Sequence, residues 1–271
     1  ILGSLCFVFG LGMKVEGVAL GTVVAEYSGL LMALLLWKKH YKALRPWIRI
    51  RGSLHWKAMR RFFAVNRDIF LRTVCLIAVT TFFTSSGARQ GNIILAVNTL
   101  LMQLFTLFSY IMDGFAYAAE ALAGRYVGAC NLPKLRQAVR YLFGWGIGLS
   151  ACFTLLYGIG GKNFLSLLTN DAEVIRASAD YFYWVLAIPF AGFAAFLWDG
   201  ILIGATATRQ MLWAMAVAAM AFFFIYYGFS GRTDNHILWL AFLVYLFLRG
   251  VMQTVWGQAI FTVKYLSLIH I

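Results

Sequence analysis

The chain has 271 residues, of which 62% are hydrophobic and only 12% are charged, and its formal net charge is +13. Soluble domains carry about 25% charged residues, so this composition excludes a water-soluble globular protein and indicates a polytopic membrane protein. Helices are the expected spanning elements, because an open sheet cannot satisfy its backbone hydrogen bonds in lipid. We therefore predict an all-α fold. The chain begins at Ile1 inside an apolar run, which we interpret as a truncated N-terminus.

Long apolar runs recur along the chain, and a membrane-spanning helix needs about 20 such residues. The pattern predicts eight spans, the first of them incomplete, at 1–12, 17–37, 66–88, 91–123, 137–160, 174–204, 210–229 and 237–263. The four cysteines are scattered without metal-ligand spacing, so neither a metal site nor a cofactor is expected. Motifs of known enzyme classes are also missing, which argues against an enzyme.

The charge distribution predicts the orientation in the membrane. Residues 38–61 hold nine Lys and Arg and no acid, and by the positive-inside rule this segment is cytoplasmic. Alternation then puts the turns near 130–136 and 205–210 inside together with the C-terminus, and the loop at 230–236 outside. No basic face interleaved with aromatic residues stands apart from the loops, so nucleic-acid binding is not expected.

One face of the 91–123 span carries polar and acidic residues three or four positions apart, which places them in a stripe along a helix. Its members are Thr99, Gln103, Thr106, Tyr110, Asp113, Tyr117, Glu120 and Gly124. A helix surrounded by lipid would not carry such a stripe, because a buried charge is costly in the bilayer. The stripe therefore predicts a surface that faces a bundle interior or a water-filled cavity.

Other ionisable residues also fall at membrane depth: Asp68, Arg72, Asp199 and Arg249. Asp68 and Arg72 are an i,i+4 pair. Depth along the helices makes Asp113–Arg249, and Arg72 with Glu120 or Asp199, candidate ion pairs. Two interpretations remain open: a structural ion network that holds helices together, or a direct role in proton or ion coupling.

Proline and glycine residues predict where helices bend or approach closely. Pro189 lies inside a span and Gly192 follows it, so this helix could kink and serve as a hinge. Gly200 and Gly204 form a GxxxG pair, a pattern that lets helix backbones approach each other. Three further pairs of this kind are Gly17/Gly21, Gly124/Gly128 and Gly144/Gly148.

Three segments resemble the multidrug and toxic compound extrusion (MATE) family, and more narrowly its DNA-damage-inducible-F (DinF) branch. They are "NRDIFLRTVCLIAVTTFFTSSGARQGNIILAVNTLLMQ" (66–103), "YIMDGFAYAAEALAGRYVGA" (110–129) and "FLWDGILIGATATRQM" (196–211). The resemblance implies a twelve-helix fold of two six-helix lobes around a central cavity. Residues 1–37 would be the last two helices of the N-terminal lobe, 38–65 a basic cytoplasmic linker and 66–264 the C-terminal lobe. The sequence of the tail at 265–271 does not resemble the C-terminal tail of this family.

The resemblance further implies secondary transport, in which organic cations, drugs or other toxic compounds leave in exchange for H+ or Na+. It implies a multi-pass protein of the bacterial inner membrane that contacts lipid and works as a monomer when full length. In the DinF branch an acid on the first helix is assigned to proton coupling. No position in this chain corresponds to that acid, so the role is transferred to none of its residues. Some relatives use an acid on the seventh helix instead; the acid at that helix here is Asp68, and the role is not transferred to it.

Two alternatives to drug efflux stay open. A lipid-linked saccharide flippase would share the broader architecture, and a longer cationic cavity lining would favour it. A non-transporting membrane assembly subunit would be favoured if the polar stripe were dry and fully paired.

Overall fold

The computed structural model describes residues 3, 6–10, 12–40, 55–229 and 234–261, and these residues hold helices and no strand. By backbone contacts the chain divides into two units, Ile1–Arg61 and Phe62–Ile271. Parts of four predictions lie outside the described residues: 1, 2, 4, 5 and 11 of the first span, 41–54 of the linker, 230–233 of the loop, and 262–271, which includes the predicted tail at 265–271.

The first unit contains one long helix, α1 (Val15–His40), preceded by a π-helical turn at Cys6–Gly10. Gly17 of α1 lies close to this turn, because a Cβ on it would be 3.2 Å from the Cβ of Phe7. Gly17 and Gly21 are buried, and the rest of α1 is exposed. This helix thus has the length and apolar composition of a membrane span.

The second unit is built from six long helices and one short one. They are α2 (Trp56–Arg89, in this unit from Phe62), α3 (Asn92–Gly128), α4 (Leu132–Leu168), the short α5 (Ala172–Ser178), α6 (Phe182–Gly204), α7 (Thr208–Gly228) and α8 (Asn235–Gly257). A 3₁₀ turn at Gln258–Phe261 follows α8. With α1, seven helices of the described chain are long and apolar enough to cross a membrane.

Short polar residues define several helix starts. The Asn131 side chain accepts a hydrogen bond from the backbone N–H of Lys134 and so caps α4. Asp171 caps α5 through the N–H groups of Glu173 and Val174, and Asp234 caps α8. These caps satisfy amides that the first helical turn leaves unpaired.

Helix α6 lies at the centre of the second unit and packs against α3, α4 and α8. It is apolar almost throughout, and side chains on all sides of it are buried, for example Val185, Ile188, Leu197 and Leu202. A helix that is apolar all round is expected in such a central position. Helix α2 joins the bundle through aromatic contacts, with Phe82 against α7 and Phe83 against α8.

The predicted span at 174–204 is wrong at its N-terminal end. The structure has the separate helix α5 there, a break at Ala179–Tyr181, and α6 starting at Phe182. Asp171 starts α5 as its cap, and the polar Ser178 and Asp180 at the break belong to no apolar run. The other long helices of the second unit agree with the predicted spans to within ten residues at their ends, the largest difference being the start of α2 at Trp56.

Candidate functional site: a charged cavity between four helices

A cavity of about 450 Å³ lies between α2, α3, α6 and α8 in the second unit. Its ionisable lining residues are Arg72 from α2, Asp113 and Glu120 from α3, Asp199 from α6 and Arg249 from α8. Apolar and aromatic side chains form most of the remaining wall, among them Leu76, Ile77, Phe105, Phe196, Phe242 and Leu246. The cavity therefore combines three carboxylates and two guanidinium groups with a largely apolar surface.

Asp199 is held by three donors at once. Arg249 Nη2 donates to Asp199 Oδ2 at 2.7 Å, and Arg72 Nη2 donates to the same oxygen. Gln253 Nε2 donates to the other oxygen, Oδ1, at 2.6 Å. The guanidinium of Arg249 also lies over the Phe196 ring, 5.6 Å from its centroid. Because Asp199, Arg249 and Gln253 are buried, this cluster is a desolvated ion network that joins α2, α6 and α8.

Asp113 and Glu120 are in a different state from Asp199. Both are partly buried and line the cavity, yet within the described part of the chain neither side chain makes a hydrogen bond or an ion pair. Asp113 lines the same cavity as Asp199, Arg249 and Arg72. A change in the charge of Asp113 would therefore break no bonded pair among the described residues.

Close contact between α3 and α6 sets the position of these acids. A Cβ on Gly200 would overlap the carbonyl oxygen of Ala116, and one on Gly204 would overlap that of Glu120. Gly124 in turn faces the Gly204 carbonyl, at 3.4 Å from an added Cβ. The Gly200/Gly204 pair thus lets two backbones touch, as the GxxxG pattern predicts. By contrast, nothing lies within 4 Å of a Cβ added at Gly144 or Gly148.

Only part of the polar stripe on α3 lines this cavity. Asp113, Tyr117 and Glu120 line the cavity, but Thr99, Gln103 and Tyr110 do not. Those three side chains are exposed on the surface of the second unit, and Thr99 Oγ1 donates to the carbonyl of Leu95 in its own helix. The cavity is limited to the part of α3 that faces Arg72, Asp199 and Arg249, so the other half of the stripe lies beyond it.

The predicted pairs of ionisable residues are realised only in part. Arg72 pairs with Asp199, one of the two candidates, and not with Glu120. Arg249 pairs with Asp199 rather than Asp113.

The i,i+4 pairing of Asp68 with Arg72 is wrong. Asp68 is buried, but it accepts from Arg67 at 3.0 Å and from Thr208 Oγ1 at 3.4 Å. The reason is that Arg72 extends to Asp199 on α6, which leaves Asp68 to join α2 to the start of α7.

The predicted hinge lies in a continuous helix. Pro189 and Gly192 are both buried in α6, which is helical from Phe182 to Gly204. Proline cannot donate to the helix ladder, and two hydroxyl groups of α4 donate to nearby backbone carbonyls of α6. Ser150 Oγ donates to the Pro189 carbonyl and Thr154 Oγ1 to the Leu186 carbonyl, both at 3.0 Å. A hinge motion at this point remains a prediction.

Two polar features were missed from the sequence. Gln253 could have been found, because it follows Arg249 by four residues and so shares its helix face. The second is a buried amide pair, in which Asn98 and Asn235 donate to each other at 2.8 and 2.9 Å and Trp239 Nε1 donates to Asn98 Oδ1 at 2.9 Å. Asn98 lies in an apolar run and Asn235 at the start of α8, so nothing in the sequence connects them.

These observations define a class: a multi-pass membrane protein whose helices enclose a charged cavity. Residues 69–227 match the MatE family model. The chain is 38% identical over 256 residues to DNA damage-inducible protein F of Escherichia coli, covering 93% of this chain and 55% of that protein.

Two more distant relatives extend the comparison. Protein DETOXIFICATION 45, chloroplastic, of Arabidopsis thaliana is 22% identical, covering 93% of this chain and 44% of that protein. The protein named "Probable multidrug resistance protein NorM" of Photorhabdus laumondii is 22% identical, covering 74% and 45% respectively. The chain thus spans about half the length of the curated relatives it matches.

The chain belongs to the MatE family, whose members are transporters rather than enzymes.

Proposed function

We propose that this chain works in a secondary active exporter that moves organic cations, drugs or other toxic compounds out of the cell in exchange for H+ or Na+. The seven membrane-length helices of the described chain would be parts of two lobes. On this proposal residues 1–37 belong to an N-terminal lobe, 38–65 to a cytoplasmic linker and 66–264 to the C-terminal lobe. The protein would reside in the bacterial inner membrane with its C-terminus in the cytoplasm, and would work as a monomer.

The observation that carries this proposal is the contrast between two carboxylates in one cavity. Asp199 is fixed by Arg72, Arg249 and Gln253, so its charge is compensated and its role is structural. Asp113 has no bonded partner within the described residues, although it lines the same cavity and is partly removed from water. A carboxylate in that state suits a coupling ion, because a proton or Na+ can bind it without opening an existing pair.

The cavity lining supports a cationic substrate with an apolar body. Its three carboxylates exceed its two guanidinium groups, so the fully ionised wall carries one negative charge more than positive. Aromatic rings from Phe105, Phe196 and Phe242 offer flat apolar surface, and such faces attract cations. The named relatives include a multidrug resistance protein, which agrees with a substrate of this kind. The same surface gives no support to nucleic acid as a partner.

Charges at the two ends of the second unit support the orientation. The end formed by the α3–α4 and α6–α7 turns carries Arg125, Lys134, Arg136, Arg140 and Arg209. Within the described chain, the opposite end carries the cations Arg89, Lys162 and Arg176 together with the acids Asp171, Glu173, Asp180 and Asp234. The positive-inside rule assigns the basic end to the cytoplasm. The end of α8 lies at the basic end as well.

The test is transport by the complete gene product in proteoliposomes, with ethidium as a flat cationic probe. An imposed pH gradient or Na+ gradient should drive ethidium against its own gradient, and collapse of that gradient should stop it. The two gradients applied separately identify the ion.

Movement of a lipid-linked saccharide across the bilayer, without ethidium transport, would instead identify a flippase. If neither compound moves under either gradient, the exporter proposal fails.

A further inference from the structure

A groove of about 410 Å³ lies at the basic end of the second unit, between the start of α7 and the end of α8. Arg209, Gln210 and Trp213 line it from α7, and Trp256 lines it from α8. It is separate from the charged cavity, with which it shares no lining residue. Its composition of one cation and two indole rings is unlike that of an ordinary lipid-facing surface, which is aliphatic.

Arg209 is an uncompensated cation at this groove. Among the residues that the structure describes it forms no ion pair, and its side chain is exposed. The two segments that contribute to the groove, 205–213 and 254–258, contain no acid. A guanidinium without a carboxylate partner presents a planar set of donors that suits phosphate oxygens.

The depth of each group matches the layers of a lipid headgroup. Arg209 and Trp256 lie one residue inside the ends of the membrane-length helices Thr208–Gly228 and Asn235–Gly257, which is the level of the phosphates. Trp213 is four residues further along α7 and hence about 6 Å deeper, near the glycerol and carbonyl layer. Its ring is 53% exposed, and within the described chain neither Trp213 nor Trp256 donates a hydrogen bond from its indole N–H. Tryptophan prefers this interfacial layer because its ring is apolar and its N–H is polar.

From this layered arrangement we propose that the groove binds the headgroup of an anionic phospholipid. Arg209 contacts the phosphate beside the Trp256 ring, and the indole ring of Trp213 contacts the glycerol and carbonyl region below it. A second groove at the same end contains Arg136, Arg140 and Phe261, but Arg136 already donates to the Phe261 carbonyl at 3.2 Å. Arg140 of the second groove has no partner among the described residues either, but no tryptophan lines that groove. The Arg209 groove is therefore the better-provided site, since it combines an unpaired guanidinium with two indole rings.

The experiment measures lipid retained by the complete gene product in native mass spectrometry, after delipidation and titration with phosphatidylglycerol or phosphatidylcholine. We expect phosphatidylglycerol to be retained in preference to phosphatidylcholine. Arg209→Gln should lower its apparent affinity about fivefold, since a basic residue near an anionic surface contributes roughly that factor. Arg209→Lys should keep most of the affinity because it keeps the charge.

Two controls separate this site from the general lipid annulus. Arg89→Gln removes an exposed charge at the last residue of α2, at the end of the second unit away from the groove. This substitution should leave the retention of phosphatidylglycerol unchanged. Trp213→Phe should lower retention, whereas Trp145→Phe, on an exposed ring of α4 outside the groove, should not. Inorganic phosphate at the same concentration should not displace the lipid, because it cannot use the indole contacts.

Equal retention of both lipids would overturn the proposal, and so would an unchanged affinity in Arg209→Gln or an equal loss in Arg89→Gln. Displacement by inorganic phosphate would also contradict it, because the groove would then be a site for free anions.

Discussion

Arg249 of α8 and Asp199 of α6 form a buried ion pair, with Nη2 and Oδ2 2.7 Å apart. Asp199→Asn removes the charge but keeps the shape, and it leaves Arg249 buried without compensation. We expect a loss of about 3–5 kcal/mol in the free energy of unfolding, seen as low abundance in the membrane and a lower Tm.

The partner substitution provides the internal check. Asp199→Asn combined with Arg249→Met removes both buried charges and should recover much of the lost abundance. Asp171→Asn, at an exposed helix cap where Asn serves equally well, is the matched control and should change stability by less than ~0.5 kcal/mol. Normal abundance of the single Asp199→Asn variant would show that the network is not a structural one.

Gly200→Ala tests the backbone contact between α3 and α6. The added Cβ would overlap the Ala116 carbonyl oxygen, and because backbone atoms cannot move aside, the two helices must separate. We expect a cost of roughly 1–3 kcal/mol, measured by thermal unfolding in detergent. Gly148→Ala meets nothing within 4 Å, and alanine has the higher helix propensity, so this variant should be neutral or slightly stabilising. An equal loss in both variants would mean that the loss does not come from the contact between α3 and α6.

Cysteine reactivity tests whether the cavity is wet. On a background without the four native cysteines, cysteine at Ser109 or Tyr117, which line the cavity, should react with small aqueous thiol reagents. Cysteine at Leu104 or Phe108, both buried in the core, should not. Protection at all four positions would indicate a dry structural network and would favour the assembly-subunit alternative.

Orientation can be tested at two exposed positions at opposite ends of the second unit. Cysteine at Lys134 should be labelled from the cytoplasmic side and cysteine at Asp171 from the outside, with an impermeant thiol reagent on intact cells and on inverted vesicles. Labelling of both from one side would show that the number of spans between them is even, contrary to the single long helix α4 that separates them.

Composition and periodicity predicted the helical class and most helix positions, because spanning a bilayer demands long apolar runs. They failed at 174–204, where an apolar window extended across the break between α5 and α6. Helical spacing placed Asp113, Tyr117 and Glu120 on one face, but it could not show where along α3 the cavity ends. Helical spacing also could not predict the ion-pair partners. Asp68 and Arg72 are close along one helix, which favoured a pair between them, whereas in the folded bundle Arg72 pairs with Asp199.

Gradient-driven efflux by Asp113→Asn tests the central proposal most directly. Asn mimics the protonated carboxylate, which on our proposal is one state of the transport cycle. The variant should fold like the wild type, because Asp113 makes no bonded pair within the described residues. It should still bind ethidium, more weakly because the cavity wall loses one negative charge, yet it should fail to exchange ethidium against a pH gradient or an Na+ gradient. Glu120→Gln, at the other unpaired acid of the cavity, is the matched variant. It should retain exchange, because Glu120 lies seven residues further along α3 and hence about 10 Å nearer the cytoplasmic end of that helix. Wild-type exchange by Asp113→Asn would contradict the proposal and place ion coupling outside this cavity.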